Sequence, residues 1–203
     1  MNNPWETIEA IAYEGHMKFI KQYDLLNHIF KEQVTKFQGS VIGILGIGCG
    51  NGLEHIKPKT TIYGYDINTS FLYSCKSKHK EKDVNLILNK IDLMDRNANI
   101  HSCELLICNL VLEFIGIYNF LRLVNKCRPE MISVVLQMTI NKENEISKSP
   151  YTEIFKNVSS IMKEIHPQEL TCLLDIIDYR LDNSMIFNLN QYKNFIRMDF
   201  KKT

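Results

Sequence analysis

The chain has 203 residues, 45% of them hydrophobic and 23% charged, which suffices for one sizeable core and leaves two full domains cramped. Its 24 basic residues nearly cancel 23 acidic ones, giving a formal net charge of +1, so no overall field favours nucleic acid or an anionic membrane. The start, MNNPWETIEA, lacks a secretion signal, no apolar run is long enough to span a bilayer, and the cysteines form no CxxC pair; the expectation is a cytoplasmic α/β domain with reduced thiols and no metal site.

Along the chain, Trp5 to Phe37 carries apolar residues at helical spacing: Trp5, Ile8, Ile11 and Ala12, then Phe19, Ile20, Tyr23, Leu26, Ile29 and Phe30. This predicts a helical arm of two helices bent near Gly15. Gln38-Gly39-Ser40 ends the arm, and Val41 to Ile47 reads as a buried strand that breaks into alternating glycines before a helix resumes. Further strands are predicted at Thr61 to Tyr65, Val84 to Leu88, Glu104 to Leu110 and Met131 to Met138, with helices at Thr69 to Lys78 and Tyr118 to Lys126. Such alternation predicts a mainly parallel sheet with right-handed crossovers and helices on both faces. Asn141 to Ser149 is polar, and Pro150 to Ile165 has the spacing of an amphipathic helix. Gln168 to Tyr179 reads as another helix, entered by Pro167. Ser184 to Leu189 and Lys193 to Lys201, turning at Asn190-Gln191, predict a terminal antiparallel hairpin. Within a single domain, 1–203, these elements divide into a helical arm (1–38), a core (39–140) and lid helices with the hairpin (141–203).

The chemistry concentrates in Gly48-Cys49-Gly50-Asn51-Gly52. After a buried strand, this GxGxG turn suits close approach of a nucleotide-like ligand, where a Cβ would collide. The dinucleotide fingerprint GxGxxG is not met, because Leu53 stands three places after Gly50, and no Gly-Lys-Ser/Thr follows to make a phosphate loop. Asp66 lies 18 positions beyond Gly48, at the end of the second strand. That spacing sets a carboxylate across the crevice, where it meets a ribose hydroxyl pair or caps the helix starting near Thr69. There is no GxSxG elbow and no HExxH.

These motifs resemble those of the class I S-adenosylmethionine-dependent methyltransferases. Gly48 to Gly52 is similar to their first motif, Tyr65-Asp66-Ile67 to their ribose-binding strand end, and Ile91-Asp92-Leu93 to the turn that touches adenine. Glu104 to Phe114 is similar to their fourth strand and the loop beside the reactive methyl, and the hairpin to their reversed last strand. The resemblance implies a Rossmann-like seven-stranded sheet with an N-terminal helical lid. It also implies a cofactor, S-adenosylmethionine, held by Gly46, Gly48, Cys49, Gly50, Asn51, Gly52, Asp66, Ile67, Asp92, Leu93 and Asn109. One position departs from the family pattern: an acid usually stands where this chain has Gly46.

Methyl transfer demands positioning first and a base only where the acceptor must lose a proton. In the arm, Tyr13 and Met17 are four apart and share a helical face, which suits contact with a sulfonium or plain packing. His16, Tyr13, Glu113 and His166 are the candidates for the acceptor side, each with an ordinary packing, capping or surface role as its alternative. The expected partner is a small molecule, with neither nucleic acid nor membrane. A nicotinamide-dependent oxidoreductase and a non-catalytic adenosyl-binding sensor are the alternative readings.

Overall fold

A computed structural model describes residues 3–139 and 147–203. The strands are β1 (Val41–Leu45), β2 (Thr61–Asp66), β3 (Asn85–Lys90), β4 (Leu105–Asn109), β5 (Met131–Thr139), β6 (Tyr179–Asn190) and β7 (Lys193–Lys202). They form one seven-stranded sheet in the order β3-β2-β1-β4-β5-β7-β6. The first five pair in parallel, and β7 runs antiparallel to both β5 and β6. The helices are α1 (Ala10–Phe19), α2 (Gln22–Thr35), α3 (Thr69–Lys78), α4 (Leu112–Ile115), α5 (Ile117–Cys127), α6 (Lys156–Ser159) and α7 (Pro167–Asp175).

Alternation along the central strands builds two cores. Ile42, Ile44, Leu105 and Ile107 face Phe30 and Val34 of α2 and Leu72 and Cys75 of α3. Leu45, Leu106 and Cys108 face Phe120, Leu123 and Val124 of α5 and Leu170 and Leu174 of α7. Helices therefore cover both faces, as the short β-branched runs lead one to expect of a parallel sheet. The order reverses between β1 and β4, which opens a crevice at the C-terminal ends of those strands.

Several local expectations are corrected. The arm breaks at Lys21, in left-handed backbone at φ 60°, and not near Gly15. Gly15 lies inside α1 because the Tyr151 ring packs where its Cβ would stand, 2.6 Å away. After the glycines only a single 3-10 turn forms, Leu53–His55, and not a helix. Pro58 biases Lys57 away from helical backbone and closes that segment. The predicted helix Pro150 to Ile165 is instead a 3-10 turn, Thr152–Phe155, then α6, then irregular chain. The Ser159 and Ser160 hydroxyls donate to Lys156 O and Asn157 O, offering the backbone a local alternative to a continued helix. The helix expected up to Tyr179 ends at Asp175, and Tyr179 opens β6, its hydroxyl donating to Pro129 O at 2.7 Å. Of the polar stretch expected at 141–149, residues up to 146 lie outside the described residues. Among the described residues no helix is long and apolar enough to cross a membrane.

Candidate functional site

The site starts at the turn after β1. Gly46 and Gly48 both adopt positive φ, +64° and +55°, which side chains rarely tolerate. At Gly48 a Cβ would meet only Tyr13, at 3.8 Å, so the backbone here is open to whatever lies between strand ends and arm. At Gly46 a Cβ would stand 2.3 Å from Val111 Cγ2: the room an acidic side chain would need is filled by a valine from the neighbouring loop. Gly50 and Gly52 face protein, Cys75 and His79 in one case and Phe30 in the other.

Across the crevice Asp66 is buried, its Oδ2 accepting from Gly48 N and its Oδ1 from Asn68 N, both at 2.9 Å. Burial pushes its carboxyl above the usual range, and these backbone bonds oppose the shift. Asn68, fully buried, caps α3 through Phe71 N. Its amide donates to Trp5 O and Ile8 O, both at 2.7 Å, and so clamps the arm to the end of β2. Ala10 N donates to Ser70 Oγ, and Glu14 pairs with Lys78, adding two more tethers.

Under the clamped arm lies a cavity of about 200 Å³. Its floor is Gly46, Gly48, Asp66, Ile67, Asp92, Leu93 and Asn109. Its roof is Trp5, Tyr13, His16 and Met17 from the arm with Phe155, Val158 and Met162 from the segment after β5. A smaller adjoining cavity of about 70 Å³ is lined by Glu14, Tyr23, Cys49 and Asn51. The roof is aromatic: Trp5 meets Phe114 edge-on at 5.0 Å, Tyr13 lies 4.6 Å from Phe71, and His16 lies 4.5 Å from Phe155. Burial, and then nearby Lys193, push the His16 imidazole down to about 4, so it is neutral at pH 7; its Nδ1 is 2.7 Å from Ser149 Oγ. The Tyr13 hydroxyl is pushed well up, chiefly by burial and then by Cys49 and Asp66.

The structure thus brings Tyr13, His16, Met17 and Glu113 together with the floor residues predicted from the motifs. It separates others. His166 is exposed at the entrance of α7 and lines neither cavity, as do Gly50 and Gly52. Asn51 spends its amide on the arm, donating to Tyr23 O and accepting from Asn27, each at 2.9 Å. Asn109 exchanges two 2.9 Å bonds with Gln33 of α2, and Gln33 reaches on to Ser133 at 2.8 Å. Asp92 accepts from Met94 N at 2.9 Å while lining the cavity, so the turn role and the cavity position coexist. Sequence reasoning missed Trp5, Phe71 and Phe155 as wall residues, because their helical spacing reads as core; only the fold turns them, with Phe114 and Lys193, to one cavity. Among the described residues no group of three or more His, Cys, Asp or Glu side chains could hold a metal ion.

Glu113 is 2% exposed. Its Oε1 accepts from Gln137 N at 2.7 Å, and its Oε2 has no partner among the described residues. Burial pushes this carboxyl from 4.5 up to about 7. Between those values the folded chain holds a proton the unfolded chain has released, so this group's contribution to stability falls as pH rises. Glu113→Gln does not titrate. Its unfolding free energy relative to wild type should therefore improve by about 3 kcal/mol from pH ~4 to pH ~8, read by urea melts at both pH values. A pH-independent difference would rule out the raised carboxyl.

No family model matches the chain, and no curated protein sequence does. Solved structures match over most of its length. Magnesium protoporphyrin IX methyltransferase from Synechocystis PCC 6803, with bound S-adenosylmethionine, superposes with a TM-score of 0.62 at 11% identity, covering 91% of this chain and 80% of that one. Geranyl diphosphate C-methyltransferase from Streptomyces coelicolor A3(2), with Mg2+, geranyl diphosphate and S-adenosylhomocysteine, gives 0.64 at 5% identity, covering 89% and 79%. The [4+2]-cyclase SpnF gives 0.60 at 8% identity, covering 88% and 80%. Sheet order, reversed β7 and these likenesses agree: the chain has the fold of the class I S-adenosylmethionine-dependent methyltransferases.

Proposed function

We propose that the chain is an S-adenosylmethionine-dependent methyltransferase that moves a methyl group to an O, N or C atom of a small molecule. The observation that carries this reading is the cavity at the strand-order reversal, where Gly48 offers open backbone and Asp66 and Asp92 stand on the same floor. Those residues suit an adenosyl group: a carboxylate beside the glycine turn for the ribose, and the Asp92-Leu93 turn for the base. The methionine end finds no acid at position 46, since Val111 fills that room; the backbone about Gly48 and the smaller cavity beside Glu14 and Asn51 remain to receive it.

When bound, S-adenosylmethionine supplies an activated sulfonium methyl, so the protein's task is placement. Asp66 holds the Gly48 amide, which fixes the turn against the end of β2. Asn68 holds the arm down, and the arm with Phe155, Val158 and Met162 keeps water from the strand ends. Tyr13 lies over Gly48, and Met17 lines the same cavity. A small, largely apolar acceptor fits the aromatic walls better than a charged polymer does. The nicotinamide reading loses support from β7, which reverses direction between β5 and β6.

Thermal melts test the cofactor class. A ligand that binds only the folded state adds about 2.7 kcal/mol at one hundred times its dissociation constant. S-adenosylmethionine and S-adenosylhomocysteine should raise the melting temperature, and NAD should not. Stabilisation by NAD alone would falsify the proposal.

A further inference from the structure

The methionine end of S-adenosylmethionine carries an ammonium and a carboxylate, and each is costly to bury unless it is paired. Position 46 offers no acid, and the Asn51 amide is spent on Tyr23 O and Asn27. The smaller cavity shares Tyr13, Met17, Leu26, Gly46 and Asn109 with the larger one, so the two adjoin at the glycine turn. Among the described residues lining the smaller cavity, Glu14 is the one carboxylate. It comes from α1, and Lys78 of α3 pairs with its Oε1. The Glu14 side chain is 14% exposed and that of Lys78 38%, so the cation of the pair stands toward solvent and the anion toward the protein. A carboxylate accepts several hydrogen bonds, which leaves acceptor sites on Glu14 for a second cation. Burial first, and then the Glu14 charge, push the Cys49 thiol up to about 11 and raise the Tyr23 hydroxyl above its usual range. Both groups line this cavity and stay neutral at pH 7, and the charge acting on them stands at its wall.

We propose that Glu14, reaching in from the arm, binds the ammonium of the cofactor's methionine end and so replaces the acid that position 46 lacks. This inference rests on the cofactor reading above and names the partner of one group of that ligand. Moving the acid from a strand end onto the arm has a consequence for binding. The ammonium site is complete only while the arm is down, and the tethers that keep it down run from Asn68, Ser70 and Lys78, at the entrance of α3 and along it. Cofactor binding and arm closure therefore favour one another, each by the same factor.

The test is calorimetric titration of wild type, Glu14→Gln and Lys78→Met with S-adenosylhomocysteine and with its deamino analogue, in which hydrogen replaces the α-amino group. Wild type should bind S-adenosylhomocysteine at least about tenfold more tightly than the analogue. In Glu14→Gln that gap should shrink severalfold. Lys78→Met breaks the same tether but keeps the carboxylate, so its gap should persist or widen. The analogue is the internal control in each protein, because a change in the hold on the arm weakens both ligands and cancels from their ratio. A gap undiminished in Glu14→Gln overturns the proposal, and so does a gap that collapses equally in Lys78→Met, which would assign the effect to the tether. Equal binding of the two ligands by wild type removes this inference alone and leaves the cofactor reading standing. Binding of neither by wild type removes both.

Discussion

A Gly46→Ala protein should lose about 3 kcal/mol of unfolding free energy, the sum of a left-handed residue gaining a Cβ and of overpacking against Val111. Neither part needs a ligand, so urea unfolding of the apo protein measures it. Because the clash is with Val111 Cγ2 at 2.3 Å, Val111→Ala in the same chain should recover part of the loss, with a coupling of about 1 kcal/mol in the double-mutant cycle. Additive losses would show that backbone strain alone accounts for the cost. The physical content is that Gly46 and Val111 form one packing unit. An acid at position 46 would have to displace that valine side chain, which gives the departure from the family pattern a structural cause.

Asn68→Asp should cost at least about 2 kcal/mol and free the arm. The carboxylate can still cap Phe71 N, but it turns an acceptor toward Trp5 O and Ile8 O, where the amide donated two 2.7 Å bonds. Releasing the arm costs the chain less than keeping that repulsion buried. Trp5 emission should shift to the red, and amides of α1 should exchange faster than those of β1. Unchanged emission together with stability within about 0.5 kcal/mol of wild type would contradict the clamp.

The sheet was legible because β1, β4 and β5 are runs dense in Ile, Leu and Val, and β2 is a short run of β-branched and aromatic residues that ends at Asp66. Pro167 marked the entrance of α7 correctly for the same local reason. Helical breaks were less legible. Apolar spacing runs on through Lys21, so nothing in the periodicity marks the break there, and Gly15 serves close packing of Tyr151 rather than a bend. The segment after β5 failed because serine side chains and a 2.6 Å bond from Lys163 N to Glu113 O outcompete its helical periodicity. Of the cavity's lining, Gly48 and Asp66 were legible by spacing, whereas Gly50 and Gly52 of the same motif face protein, and Asn68 as a clamp and Trp5 as a wall left no local signal. Their roles depend on contacts across some 60 positions of chain, which no local pattern records.

The central claim is that Asp66 and the glycine turn hold an adenosyl cofactor. Calorimetric titration of wild type and Asp66→Asn with S-adenosylhomocysteine tests it most directly, since Asn keeps an acceptor for one of the two backbone amides while removing the charge a ribose hydroxyl pair would meet. Wild type should bind, and Asp66→Asn should bind at least about tenfold more weakly while still unfolding cooperatively. Equal affinity in the two proteins, or no binding by wild type, would contradict the account.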